Sequence, residues 1–199
     1  MAKVNALTGG GAPETVEVAA RLAGFTLKGR VSNVHARGAI QYRYARISGA
    51  DLLRAWISHL ALHLAAPREM PRITFVVGIS REKGRSPEPE TLRFGPVGEP
   101  GPLLLALLER YWAGLVVPLP LFPRASLSYA QDVCLEGKDP QQALRRARAI
   151  WEGSEQSRGE CEDLYYRLCF SAADPLDESF RDLSVEVFGP LLEHMESVD

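Results

Sequence analysis

At 199 residues and 46% hydrophobic content, the chain can bury a core as one large domain, or one domain with a small appendage, which excludes disorder as the default. No run reaches the roughly 18 consecutive apolar residues of a membrane span. The opening MAKVNALTGGGAPE also lacks the apolar stretch and cleavage pattern of a secretory signal, so a cytoplasmic location is expected. The formal net charge of -2 hides a polarity: residues 18–50 carry Arg21, Lys28, Arg30, Arg37, Arg43 and Arg46 and no acid, whereas residues 174–199 carry eight acids against the single base Arg181. This suits contact between a basic face and a polyanion or acidic partner, without strong unaided binding to nucleic acid.

Residues 1–14 read as a flexible lead-in. Three short strands are expected at about 16–23, 25–34 and 38–46, the second and third separated by a turn at Arg37-Gly38. A helix follows, opened by the capping-box pattern Ser48-x-x-Asp51 and carrying the stripe Leu52, Leu53, Trp56, Ile57, Leu60, Ala61 and Leu64, with Pro67 and Pro71 at its end. ITFVVGIS (73–80) reads as a buried strand, REKGRSPEPE (81–90) as a protruding polar loop, and TLRFGPV (91–97) as a further strand. From Pro102 to Val117 runs a leucine-rich helix with Tyr111 and Trp112, apolar around most of its circumference and so expected to be buried on several sides. The prolines of PLPLFP (118–123) force an extended connector, after which only helical patterns remain. Asp139-Pro140 and Asp174-Pro175 each place a capping acid before a proline at the first helical position. The fold class is therefore α/β: one domain over 15–199, with an α/β core at 15–117 and a helical part at 118–199.

Catalytic and cofactor motifs are scarce. There is no GxxxxGK[ST] phosphate loop and no GxSxG elbow, and no cofactor is expected. His59 and His63, four apart on a helix, could grip a metal, but no HExxH surrounds them and no third ligand is evident. Glu160, Glu162 and Asp163 are the acids expected in the first turn of a helix that includes Leu164, Tyr165 and Leu168. Arg145, Arg146 and Arg148 form the polar face of a helix whose apolar side holds Leu144, Ala147, Ile150 and Trp151. Trp56, Trp112 and Trp151 all fall in helical apolar patterns and are expected in the core. The odd count of Cys134, Cys161 and Cys169, without a CxxC, argues for reduced, mostly buried thiols rather than disulfides or a zinc site.

The order of three strands, helix and strand over 16–80 resembles the restriction-endonuclease-like PD-(D/E)xK core, in particular the nuclease domains of bacterial recombination helicase-nucleases. There, a strand reading L-x-G-x-x-D brings one metal-binding aspartate and the next strand brings Asp-Tyr-Lys. The matching strings here are Leu27-Lys28-Gly29-Arg30-Val31-Ser32 and Arg43-Tyr44-Ala45, so the resemblance puts Ser32, Arg43 and Ala45 where the functional groups would stand. Such nucleases hold Mg²⁺ on those acids. A guanidinium about 5 Å from a divalent ion would cost roughly 6–7 kcal/mol at an effective dielectric of about 20. No metal site is therefore expected, and the cationic residues Lys28, Arg30, Arg37, Arg43 and Arg46 become candidates for binding DNA or a partner without cutting.

LERYWAGLVVPLPLFPRASLSYA (108–130), Trp151-Glu152-Gly153, Gly159-Glu160-x-x-Asp163-x-Tyr165 and PLLEH (190–194) resemble the C-terminal domain of the exodeoxyribonuclease V gamma subunit, RecC. Gamma subunits are several times longer, so the chain is expected to be a fragment, and the helix that usually precedes the first core strand is not legible. The resemblance implies a non-catalytic structural and DNA-guiding domain of a bacterial ATP-dependent helicase-nuclease in double-strand break repair and homologous recombination, with the RecB and RecD subunits and DNA as partners. Two alternatives stand beside it. One is an active Mg²⁺-dependent nuclease with a relocated site, with Glu136, Glu160 and Asp163 as first suspects. The other is a pure protein-protein module.

Overall fold

The protein is described here by a computed structural model covering residues 2–65, 70–80 and 88–198. Its elements in chain order are α1 (Ala2–Thr8), β1 (Glu14–Leu22), β2 (Phe25–His35), β3 (Gly38–Tyr42), α2 (Gly49–Ala65), β4 (Thr74–Ser80), β5 (Glu88–Phe94), α3 (Pro100–Gly114), α4 (Ala125–Ala130), α5 (Pro140–Glu152), β6 (Gly153–Ser154), β7 (Ser157–Arg158), α6 (Leu164–Cys169), α7 (Glu178–Glu193) and β8 (Met195–Ser197). They divide into two units, Met1–Glu109 with His194–Asp199, and Arg110–Glu193. The change of unit falls inside α3.

The first unit is built on a six-stranded sheet in the order β1-β2-β3-β4-β5-β8. Every pairing is antiparallel except β3 with β4, which are parallel and joined through α2. β4 is buried from Thr74 to Ile79 because both faces of the sheet are covered there. Phe75 and Val77 cluster with Ile40 and with Leu7 of α1, whereas Thr74 meets His59 of α2. Successive strand residues point to opposite faces, so α1 and α2 lie on opposite sides of the sheet.

Four readings need correction. The segment expected as a flexible lead-in over 1–14 carries α1, whose Val4 and Leu7 cover Ile40 and Phe75. Gly9 and Gly10, at φ 69° and 82°, stop that helix in a conformation that suits glycine, so a glycine run that reads as linker serves as a helix stop. The third strand ends at Tyr42, not 46, which leaves Arg43 and Ala45 beyond it. Strands also appear where only helices were expected: β8 pairs with β5, with an Arg93–Glu196 ion pair across that pairing, and in the second unit β6 pairs with β7. Of the 81–90 loop, residues 88–90 open β5, and 81–87 lie outside the described residues, as does Pro67.

The second unit packs around Phe122, the aromatic residue of the PLPLFP connector, which is fully buried. Its ring lies 4.2 Å from Trp151, 5.0 Å from Tyr166, 5.3 Å from Phe170 and 6.1 Å from Phe180, centroid to centroid. Ala125, Tyr129, Ala143, Ala147 and Leu176 complete this core. The small residues Ala143 and Ala147, one turn apart on α5, let the helix approach closely. Buried Asp132, in the π-helical turn that continues α4, accepts from Lys138 Nζ at 2.9 Å and from Arg146 at 2.6 Å. Burial pushes its carboxyl up, but the two cations outweigh that and hold it below the usual aspartate range.

In this unit Asp139 caps α5 as read from the sequence, accepting from the N–H groups of Gln141 and Gln142. Asp174 does not cap α7. Its carboxylate accepts from Leu176 N and pairs with Arg148 at 2.5 Å, while Asp177, three residues on, accepts from Phe180 N at the start of α7. The Asp-Pro signal marks a turn here, and the next acid takes the cap. The expectation for α3 also fails: Leu104 is its buried residue, while Tyr111 and Trp112 are 65% and 62% exposed. Leu115, Val116 and Val117 are likewise exposed. Trp56 and Trp151 are core residues, but Trp112 is not. Cys134 and Cys169 are exposed and Cys161 half-buried, so the thiols are free but not mostly buried.

Candidate nucleic-acid interface

Lys28, Arg30 and Ser32 alternate along β2 at exposed positions, opposite buried Val31. The alternation then breaks. Between Glu14↔Val34 and Val16↔Val31, β2 carries an extra residue, and Asn33 sits at φ 58°, a bulge that brings Val31 and Val34 both into the core. Across the β1-β2 register Arg30 stands opposite Glu17 and bonds it at 2.7 Å. Both partners are well exposed, so the pair contributes at most about 1 kcal/mol to stability, and the carboxylate offsets the positive charge at that position. Ser32 Oγ accepts from Thr15 Oγ1 at 3.5 Å, a long contact. Arg37 is turned toward α1, donating to the carbonyl of Ala6 at 3.2 Å, a use of a cation at a helix C-terminus.

Beyond β3 the chain continues along β4. Arg43 N donates to Val77 O, and Ile79 N donates to Ala45 O, both at 3.0 Å. Gly78 makes this possible: a Cβ there would lie 2.5 Å from Ile47 Cγ1 and 2.9 Å from Ala45 O. The Arg43 side chain bonds Asp51 Oδ2 at 2.5 Å. Asp51 in turn is the capping-box acid of α2, accepting from Ser48 N at 2.9 Å and Ser48 Oγ at 2.5 Å while its own N–H reaches Ser48 Oγ at 3.3 Å. Burial works to raise the Asp51 carboxyl, but the Ser48 bonds and the Arg43 guanidinium together hold it below its ordinary value. Gln41, Tyr42, Arg43, Asp51, Arg54, Val76 and Val77 line a cavity of about 380 Å³ at this place.

The five candidate cations thus divide. Arg30, Arg37 and Arg43 are engaged by Glu17, Ala6 and Asp51, and only Lys28 and Arg46 have no bonded partner among the described residues. β2 pairs with β3 only at Val34↔Ala39 and His35↔Gly38, so Ser32 lies outside the paired stretch that leads to Arg43 and Ala45. Sequence reasoning missed Tyr42 and Tyr44, which are 57% and 92% exposed. The signal was present in Tyr-Arg-Tyr-Ala-Arg (42–46), aromatic and basic residues interleaved directly after a strand.

The other candidate groups have structural partners. His59 Nε2 donates to Gly95 O, so its Nδ1 accepts from Thr74 Oγ1, both at 2.9 Å, and burial, aided by His63, pushes its pKa down to about 3. His63 Nδ1 donates to His59 O, and burial lowers its pKa too. Glu160 accepts from Arg124 N at 2.9 Å and Ala125 N at 2.7 Å, capping α4 from a distance in sequence. Burial nonetheless lifts its pKa above the ordinary glutamate value. Glu162 bonds Gly159 N and Arg158, Asp163 caps α6, and Glu136 pairs with Lys138. Arg146 and Arg148 are held by Asp132 and Asp174. Among the described residues no three His, Cys, Asp or Glu side chains converge as a metal ion would require.

Fold and site together describe a mixed α/β protein with a mostly antiparallel six-stranded sheet and a basic, aromatic segment at the end of β3. Among the described residues, no helix is long and apolar enough to cross a membrane. Residues 1–134 match the family model of the RecC C-terminal domain, and the chain belongs to that family. The family implies a role in the RecBCD complex, exodeoxyribonuclease V, and a DNA-repair context. Comparison with curated proteins gives no match.

Proposed function

We propose that the chain is a non-catalytic, DNA-guiding and structural domain of a bacterial, cytoplasmic RecBCD-type helicase-nuclease acting in double-strand break repair and homologous recombination, and that its first unit is a degenerate PD-(D/E)xK core. The observation that carries this reading is the chemistry at the resemblance's three functional positions, where Ser32, Arg43 and Ala45 offer no carboxylate. The nearby acid bonded to Arg43, Asp51, is committed to that guanidinium and to the start of α2. These residues do not fit Mg²⁺. A helix before β1, three consecutive antiparallel strands, then α2 and a strand parallel to β3 support the nuclease-like descent. Exposed Tyr111, Trp112, Leu115, Val116 and Val117, and the exposed stripe Leu164, Tyr165 and Leu168 on α6, support contacts with the RecB and RecD subunits.

The test is incubation of the chain with end-labelled linear single- and double-stranded DNA and Mg²⁺ or Mn²⁺. The DNA should stay intact, and its binding should be weak and fade with salt. Metal-dependent cutting that disappears in Glu160→Ala or Glu136→Ala would support the relocated-site reading instead. If Lys28→Glu with Arg46→Glu leaves unwinding by the reconstituted complex unchanged, a purely protein-binding role replaces the DNA-guiding one.

A further inference from the structure

We infer that Tyr42–Arg46 is a stacking platform for unpaired bases of single-stranded DNA, with Tyr44 as its principal surface. This deepens the DNA-guiding reading above and rests on it.

Tyr44 is the most exposed large hydrophobic among the described residues, at 92%, and Tyr42 is 57% exposed. An exposed aromatic ring on a frayed loop would lose much of its binding energy to ordering. This segment is already ordered, because Arg43 N–Val77 O and Ala45 O–Ile79 N tie the residues on either side of Tyr44 to β4, and Ile47 presses on Gly78. The ring is therefore presented by a fixed backbone. Cations belong to the same segment and cavity: Arg46, two residues after Tyr44, is exposed with no bonded partner among the described residues, and Arg54, which lines one cavity with Tyr42, is 72% exposed and reaches Asp51 only at 3.6 Å. Arg43 is spent on Asp51. The arrangement thus offers two π-faces for bases and two guanidiniums for phosphates, while Arg43 acts as a positioning residue.

A duplex buries its base faces within the stack, so a ring can stack only on a base that is unpaired. A phosphate-only surface would hold duplex and single strand alike. The platform therefore distinguishes the products of unwinding from the substrate, and every base has a face to offer, so sequence preference should be small. A protein ligand is the competing occupant. The interleaved arginines and the absence of an aliphatic side chain among residues 42–46 other than Ala45 favour a polyanion with flat, apolar groups.

The experiment measures fluorescence anisotropy of a labelled oligothymidylate and of a duplex of equal length with the 199-residue chain. Tyr44→Ala should weaken single-strand binding about 5- to 30-fold, and Tyr44→Phe should stay within about twofold, because stacking needs the ring and not the hydroxyl. Neither change should alter duplex binding or the slope of log K against log salt, whereas Arg46→Ala should lower that slope by about one. In a 5-bromouracil-substituted strand, photocrosslinks should map to Tyr44 or Tyr42. Such an exposed side chain makes no folding contact, so matched thermal melts verify that the variants are folded. Equal binding by Tyr44→Ala and wild type, equal loss for single strand and duplex, or crosslinks mapping elsewhere would overturn the platform. If those results accompany a clear loss in Lys28→Glu with Arg46→Glu, the platform fails and the DNA-guiding reading stands. If that pair also changes nothing, both fail.

Discussion

Replacing Glu160 separates a structural acid from a catalytic one. Its two oxygens accept from the N–H groups of Arg124 and Ala125, and Ala125 is fully buried. Glu160→Ala leaves that buried donor without an acceptor, about 1–3 kcal/mol, and removes a helix cap, about 0.5–2 kcal/mol. Relief from burying a charge offsets part of this, so a net loss of about 2–3 kcal/mol is expected, or a fall of about 4–12 °C in Tm for a chain of this size. Glu160→Gln keeps one acceptor oxygen and should lose about half as much. Because burial raises the folded pKa above the unfolded value, the stability linked to this group is full below the unfolded pKa and is lost as pH rises through the folded one. Glu160→Gln should remove that slope. Urea unfolding followed by fluorescence of Trp151, which lies in the same core, reports both effects. An unchanged urea midpoint in Glu160→Ala would refute the capping role.

Asp132→Ala should cost about 2–3 kcal/mol by urea unfolding, short of the 3–5 of a wholly buried pair, because Lys138 and Arg146 are 29% and 56% exposed and can reach water. Its folded pKa is depressed, so this contribution is present above the unfolded aspartate value and is lost as pH falls below it. His59, depressed to about 3, stabilises fully above the unfolded value of 6.5. As pH falls from there toward 3, stability should drop by up to ~1.4 kcal/mol per pH unit, a slope that His59→Gln removes in melts across this range. Gly78→Ala should destabilise by about 1–3 kcal/mol, since its Cβ would meet Ile47 and Ala45 O, and Tm against wild type checks this.

What the sequence made legible was local. The Ser48/Asp51 box, the Asp139 cap and the apolar run of β4 each carry their cause in a few neighbouring residues, and each sits where it was read. What it concealed was non-local. Glu160 reads as a first-turn acid of its own helix, yet it caps α4, 35 residues away from Ala125. Arg43 reads as a free cation because Asp51 is assigned to the helix start, and one carboxylate serves both. Gly9 and Gly10 read as linker because a helix stop and a flexible tether share the same residue. β8 is three residues long, too short for alternation to register. The apolar circumference of α3 signals burial without naming the surface that provides it, and Tyr111 and Trp112 are exposed.

If Ser32, Arg43 and Ala45 stand where a nuclease would carry its metal-binding groups, as proposed, they hold no divalent ion. Titration of the chain with Mn²⁺, following the electron paramagnetic resonance signal of the free ion, tests it most directly. The free-ion signal should rise in proportion to added Mn²⁺, as in buffer alone. Saturable uptake of one ion per chain, abolished by Asp51→Asn, would contradict it and make this domain a metal site.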